Sequence, residues 1–405
     1  MNVKDRFIRY VEVHTASEEN AAQTPSTPRQ FDLTRLLCEE MRELGMKDVY
    51  ADGHAYAYGC LPATPGCEGA PCVGFIAHLD TIPDFPGENV KVQVIENYDG
   101  GPVALGTSGR VLRPEQFPHL PSLKGQTLLT TDGTTVLGAD DKAGVAAIMA
   151  ACEELIASKR PHGRVAVCFT PDEEIGHGAA LLDLERLGAD FAYTVDGGEL
   201  RFINYETFNA AAAKWEVEGF NIHPGSAKGK MINAALVAME IDSLLPAAER
   251  PERTEGYEGF YHLIGMSGSV EHAELRYIVR DHDAGSFAAR KRTLRQIEKF
   301  INEKYGAGTA RLTLHDQYRN MAEKVLEDRR VVELAERAIR RLGLEPAAEP
   351  IRGGTDGAQL SFRGLPCPNL GTGGYACHGP FEHATVEGIE GAARLVLNII
   401  DENLR

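Results

Sequence analysis

No run of 18 or more apolar residues occurs in this 405-residue chain, so no helix is expected to span a membrane. Met1 to Tyr10 mixes charged and apolar side chains and lacks the apolar stretch of a secretory signal, which points to the cytoplasm. Positive charge is short as well: 42 Lys and Arg stand against 59 Asp and Glu, a formal charge of -17. A nucleic-acid partner needs a basic face and is excluded on that ground. The eight cysteines are scattered without a Cys-x-x-Cys pair, which fits reduced thiols better than a disulfide framework. Internal repeats and low-complexity tracts are absent too.

What remains is a globular composition, 43% hydrophobic and 25% charged, on a length that predicts two domains. Helices are expected over 4–14 and 29–45, the second closed by Gly45. The apolar run 72–77 reads as a short strand delivering His78 and Asp80 at its carboxyl end. Residues 128–131 and 134–137 flank Asp132-Gly133, the strongest two-residue hairpin signal. From Asp141 onward Val145, Ile148, Met149, Cys152, Leu155 and Ile156 keep helical spacing. Residues 165–169 form a continuous apolar run of the kind buried on both faces of a sheet. Helix 177–187 and strand 191–195 repeat the order.

Such alternation predicts an α/β fold, a mostly parallel mixed sheet covered by helices, with its sites at the carboxyl ends of the strands. Asp80, Glu173, Glu174 and Asp196 all fall just past a strand end. Between 207 and 320 the rhythm becomes β-α-β-β-α-β, the ferredoxin-like split unit. The expected division is therefore a catalytic domain over 1–206 and 321–405, with an inserted α+β domain over 207–320.

Taken in order, the polar residues at the strand ends suggest metal chemistry. In His78-Leu79-Asp80 the imidazole and carboxylate face the same way. A metal-bound histidine commonly hands its other ring N–H to a carboxylate, so His78 is a candidate ligand and Asp80 its partner. The plainer alternative is a solvated pair. Asp140 could join two cations about 3.5–4 Å apart, or Asp140 or Asp141 could simply cap the following helix. In Asp172-Glu173-Glu174 one glutamate can bind metal while the other moves protons; the alternative is an acidic surface loop. Asp196 ends a strand before two glycines, which allow a close backbone approach. The glycine-rich turn 371–374 leads to His378, with His383 as its competitor. Two histidines with three or four carboxylates suit zinc, and manganese or cobalt as well.

His78-Leu79-Asp80, Gly138-Ala139-Asp140-Asp141-Lys142, Asp172-Glu173-Glu174, Asp196-Gly197-Gly198 and His378 together resemble the co-catalytic zinc peptidases. That family also contains succinyl-diaminopimelate desuccinylase, acetylornithine deacetylase and carnosinase-type dipeptidases. Longer stretches, among them 221–225, 254–262 and 351–361, resemble one branch of it that removes the N-terminal residue from tripeptides. A related deacylase or dipeptidase, or a non-catalytic peptide-binding protein, are the alternatives. The resemblance implies two Zn²⁺ per subunit, one on His78 and Asp196, the other on Glu174 and His378, with Asp140 bridging. It implies Glu173 as general base, Asp80 as the partner of His78, and a cis Asp140-Asp141 bond. An acid four residues after the last histidine is met by Glu382 following His378, the preferred candidate over His383. The branch's second histidine just before that acid is missing in Phe381-Glu382, which bears on substrate preference.

In the inserted domain the resemblance implies substrate binding. His223 would polarise the scissile carbonyl, while Asn233 and Arg280, with Arg352, would hold the peptide carboxylate. An arginine fork matches a carboxylate with two parallel hydrogen bonds; the plainer reading of Arg280 is an ion pair with Asp281. The implied partner is a short peptide substrate; in some members of the family the inserted domain also pairs two copies, which leaves a homodimer open here.

Overall fold

The computed structural model describes residues 1–405. Two compact units divide the chain: 1–205, 321–349 and 355–405 form the first, and 206–320 with 350–354 the second. The short segment 350–354 is held in the second unit by a parallel bridge between Thr207 and Ile351.

An eight-stranded mixed sheet organises the first unit. Its centre is four parallel strands in the order Val165–Thr170, Val73–His78, Phe191–Gly197 and Asn369–Gly371. Ala57–Leu61 and Lys47–Ala51 add antiparallel strands on one side; Phe202–Asn204 and Ala347–Ala348 complete the other. Every residue of Val73–His78 and Val165–Thr170 is buried, as their unbroken apolar sequences require. The helix Ala139–Ser158 packs against the strands of His78 and Asp196, and Val386–Glu402 packs on that helix. Tyr56, Ile76, Cys168, Leu182, Leu187 and Leu360 belong to a second apolar cluster built on the same sheet. Burial of side chains this large contributes about 1.5–3 kcal/mol each.

Three sequence expectations change. Leu128–Thr130 is a strand, but it pairs with Gln93–Ile95 and His383–Thr385 rather than forming a hairpin with 134–137. Asp132 and Gly133 do turn the chain: Asp132 Oδ1 accepts from the Thr134 N–H at 3.0 Å and Gly133 has φ 83°. The outgoing donors, however, are taken elsewhere, Val136 by the Pro86 carbonyl and Leu137 by Glu382. Of the helix expected over 177–187 only Leu184–Leu187 forms, capped by Asp183. The first helix runs Val3–Val11, shorter than expected.

Inside the second unit four strands lie in the order Phe260–Gly268, His272–Asp281, Asn209–Glu218, Ala310–Tyr318, each pair antiparallel. With the helices Ala234–Ser243 and Ala284–Tyr305 this is the ferredoxin-like split arrangement. Burial alternates along Asn209–Glu218, so Ala213, Trp215 and Val217 enter a core shared with Leu275, Tyr277 and Leu294. No helix in the chain is long and apolar enough to cross a membrane.

Candidate metal centre

His78 ends its strand almost fully buried, at 2% exposure. Its Nδ1 lies 3.1 Å from the Asp80 carbonyl oxygen and 3.4 Å from Asp80 Oδ1. An N–H there donates to Asp80, which leaves Nε2 as the bare nitrogen. That Nε2 stands 3.0 Å from Asp140 Oδ1 and 3.6 Å from Asp196 Oδ1. His378, at φ 68° after the glycine-rich turn, places its Nε2 3.1 Å from Asp140 Oδ2 and 3.2 Å from Glu174 Oε2. Asp140 therefore turns one carboxylate oxygen to each of the two imidazoles.

Both imidazole nitrogens face carboxylate oxygens, so acceptors confront acceptors unless something positive lies between. Burial opposes charge on His78, yet Asp196 and hydrogen bonds to Asp140 and Asp196 raise its pKa well above the ordinary value. The hydrogen bond to Asp140 also raises His378. Burial opposes the charge of Asp140 too, but hydrogen bonds from His378 and His78 hold its carboxyl well below the usual range. Burial pushes Glu174 and Glu173 up, and the charge of Asp140 on Glu174, and of Asp196 on Glu173, adds to it. A set so short of positive charge, with imidazole and carboxylate donors around one shared Asp, fits a pair of divalent cations.

The same shortage sets a pH dependence in the metal-free protein. Burial pushes Asp196 up to about 6, Asp356 up to about 7 and Glu382 up to about 7. An unfolded carboxylic acid titrates near ~4. Between those values the folded state binds more protons than the unfolded one, so the cluster's contribution to stability falls as pH rises from about 4 to about 7. His78, raised above its unfolded ~6.5, acts in the same sense at higher pH. The melting temperature of the chelated protein is expected to drop over this range, and a divalent cation to flatten the drop. A chelated protein that gains stability between about pH 5 and pH 8 would contradict the assignment.

Asp80 does more than orient His78. Its Oδ1 accepts from the Glu173 N–H at 3.0 Å and its Oδ2 from the Glu174 N–H at 3.3 Å, so one carboxylate fixes the ring and the turn beside it. Asp172 at φ 56° and Gly176 at φ 76° shape that turn, Glu173–Ile175. The buried Asp172 carboxylate is anchored by Ser26 N at 2.7 Å, Ser26 Oγ at 2.5 Å and Gln30 Nε2 at 2.6 Å. Glu174 is thereby committed to His378, whereas the Glu173 carboxylate has no hydrogen-bond or ion-pair partner.

The two readings of Asp140 and Asp141 separate cleanly. Their peptide bond is cis, and Asp141 rather than Asp140 caps the helix, its Oδ1 accepting from the Gly144 N–H at 3.2 Å. Asp141 Oδ2 is buried without a partner, and one Asp141 oxygen lies within 4.8 Å of ligand atoms of His78 and Asp196. His383 stays out of the cluster: its Nδ1 donates to the Phe381 carbonyl at 2.7 Å and its Nε2 meets His119 Nε2 at 2.8 Å. Sequence reasoning missed Asp356, buried against Thr170 Oγ1 at 2.8 Å, and Lys142, buried with Nζ on the Val13 carbonyl at 2.7 Å. Nothing local in the sequence distinguishes either from a surface charge.

The candidate substrate-binding residues all belong to the second unit. His223 is exposed; its Nδ1 accepts from the Gly225 N–H at 3.2 Å, which leaves Nε2 free. Asn233 caps Ala234–Ser243, its Oδ1 accepting from Ala235 and Leu236, so only its NH₂ remains available. Arg280 has no carboxylate partner. Its Nη1 donates to the carbonyls of Ala211 and Val279 and the guanidinium lies 5.4 Å from the Tyr318 ring centre. Asp281 pairs with Arg290 instead, Nε to Oδ2 at 2.7 Å. Arg352 is committed to the loop 254–258, donating to Gly256 and Glu258 carbonyls and to Thr254 Oγ1, each at 2.8 Å.

Comparison with known proteins gives a consistent picture. The model of the peptidase family M20/M25/M40 matches residues 136–402. A curated protein of Clostridium perfringens named Peptidase T is 52% identical over 400 residues, 98% of each chain. One of Geobacillus kaustophilus with the same name is 50% identical over 398 residues, covering 98% of this chain and 97% of its own. Among solved structures, an aminopeptidase PepT of Bacillus cereus superposes with a TM-score of 0.79 at 24% identity, over 100% of this chain and 98% of that one. A Bacillus subtilis protein described as a dinuclear metal binding peptidase superposes at 0.67 with 16% identity, over 98% and 96% of the two chains. At those identities the two structures speak to the fold alone.

Proposed function

This chain belongs to the peptidase family M20/M25/M40 and is a peptide-bond hydrolase, and from that premise we propose that it removes the N-terminal residue from tripeptides with two bound zinc ions. His78 and Asp196 would hold one ion and Glu174 and His378 the other, with Asp140 shared. Two divalent cations so held supply a Lewis acid for a carbonyl oxygen and lower the pKa of water. Asp80 keeps the His78 ring in the tautomer that presents Nε2 and fixes the turn carrying both glutamates. Glu173, the one carboxylate of that turn without a partner, takes a proton from the attacking water and returns it to the departing nitrogen. Arg280, a half-buried guanidinium without a carboxylate partner, would take the peptide's carboxylate end, with Asn233 NH₂ and, less directly, Arg352 in support. His223 would steady the negative oxygen that develops on the carbonyl. The same reading makes it a cytoplasmic enzyme of peptide catabolism, with manganese or cobalt as substitutes for zinc and pairing of two copies as its oligomeric form.

The carrying observation is Asp140, whose two oxygens lie 3.0 and 3.1 Å from two different histidines. The test is metal analysis joined to hydrolysis of Ala-Ala-Ala, Ala-Ala and an N-acetyl amino acid, before and after chelation. Two ions per chain are expected, with cleavage of the tripeptide foremost, abolished by chelator and restored by zinc. Preference for the N-acetyl amino acid would move the chain to the deacylases, and preference for Ala-Ala to the dipeptidases. Undiminished cleavage by metal-free protein would end the metal reading altogether.

A further inference from the structure

We infer that Glu382 is a positioning residue for this centre, holding the backbone that sets where Asp140 stands. The inference rests on the reading of Asp140 as the shared ligand. Glu382 is 1% exposed, and its carboxylate receives three backbone donors from one short segment. Oε2 accepts from Leu137 N–H at 2.7 Å and Gly138 N–H at 2.8 Å, and Oε1 from Asp140 N–H at 2.9 Å. No lysine or arginine pairs with it: the nearby Lys142 ammonium is spent on the Val13 carbonyl. A buried carboxylate satisfied by main-chain N–H groups alone is costly to place unless that segment must be held.

The segment does need holding. Residues 131–138 form neither strand nor helix, Gly138 turns through φ 78°, and Asp140 at φ -89°, ψ 100° is not helical. No regular ladder therefore defines the position of Asp140. Glu382 lies four residues beyond His378 and directly before His383–Thr385, which pairs with Leu128–Thr130. The strand pairing fixes one end of both segments and the carboxylate fixes the other. Together they set the separation between His378 and Asp140. His383, locked between the Phe381 carbonyl and His119, anchors the chain directly after Glu382.

An amide in place of the acid separates positioning from filling. Glu382→Gln keeps the shape and one acceptor oxygen but turns an NH₂ toward at least one of the three donors. Glu382→Asp keeps the charge but is one methylene short. The measurements are Zn²⁺ affinity by chelator competition, melting of the chelated protein, and kcat and KM on Ala-Ala-Ala. Glu402→Gln, another buried glutamate, bonded to Arg337, Arg341 and Arg405, is the control. Glu382→Gln is expected to melt near the parent when chelated, to lose about 10–100-fold in Zn²⁺ affinity, and to lose kcat rather than KM. If it does not fold, Glu382→Asp is read in its place. Parent-like Zn²⁺ affinity in the readable variant overturns the inference. So does an equal loss in Glu402→Gln, or the collapse of both Glu382 variants without metal, since a role in the fold alone then accounts for the bonds. A parent that binds no zinc sinks the shared-ligand reading itself, a failure visible before any variant is made.

Discussion

Glu173→Ala is expected to keep its divalent cations and its melting temperature while kcat on a tripeptide falls by roughly 10²–10⁴-fold. The expectation follows from how differently two adjacent carboxylates are used. Glu174 lies 3.2 Å from His378 Nε2 and belongs to the group that would hold metal, so Glu174→Ala should lose metal and activity together. Glu173 shares the turn and the anchor on Asp80, yet its carboxylate contacts no other polar side chain. Removing it deletes no ligand and leaves no buried partner unsatisfied. Burial and the charge of Asp196 raise its proton affinity, which suits a group that must take a proton and give it back. KM should change little, because the loss falls on the transition state. Metal content by elemental analysis, read beside kcat, decides the matter. Loss of metal in this variant would make Glu173 a ligand, and an unchanged kcat would leave the reaction without its base.

Strand-end placement made the metal-centre candidates readable before any fold was known. Val73–His78, Val165–Thr170 and Phe191–Gly197 are runs whose apolar character signals burial on both faces, and each ends in or runs on into the acids or histidine that a parallel sheet gathers at its carboxyl edge. The inserted unit was readable for a similar reason, since the β-α-β-β-α-β order survives in local periodicity alone. What local pattern could not carry is any feature decided by a residue far away in the chain. Asp132-Gly133 makes its turn, but Pro86 and Glu382 take the donors that a hairpin would have used. Asp172 reads as one acid in an acidic run; its work depends on Ser26 and Gln30, about 140 positions earlier. Arg280 beside Asp281 reads as an ion pair until the fold gives Asp281 to Arg290.

Gly144→Ala is expected to lower activity about 10²-fold and to deplete bound metal, through a residue that carries no chemistry at all. A Cβ at this position would stand 1.9 Å from the Val195 carbonyl oxygen and 2.5 Å from Asp141 Oδ1. The carbonyl cannot yield, because Phe191–Gly197 is paired on both sides, with Val73–His78 and Asn369–Gly371. The helix must therefore move, and Asp140 and Asp141 lie at its amino-terminal end. A displacement near 1 Å at a catalytic group costs about 10²-fold in rate, and overpacking a tight core costs about 1–3 kcal/mol in stability. Gly379→Ala is the matched contrast. It sits next to His378, a Cβ there meets nothing within 4 Å, and its φ is not in the left-handed region. If proximity to a ligand decided the outcome, Gly379 would be the sensitive glycine. Close packing of helix on strand predicts the reverse: Gly379→Ala near parental in rate and zinc content, Gly144→Ala depleted in both. An active, metal-replete Gly144→Ala protein would mean that the helix carrying Asp140 can slide on the sheet without disturbing the centre.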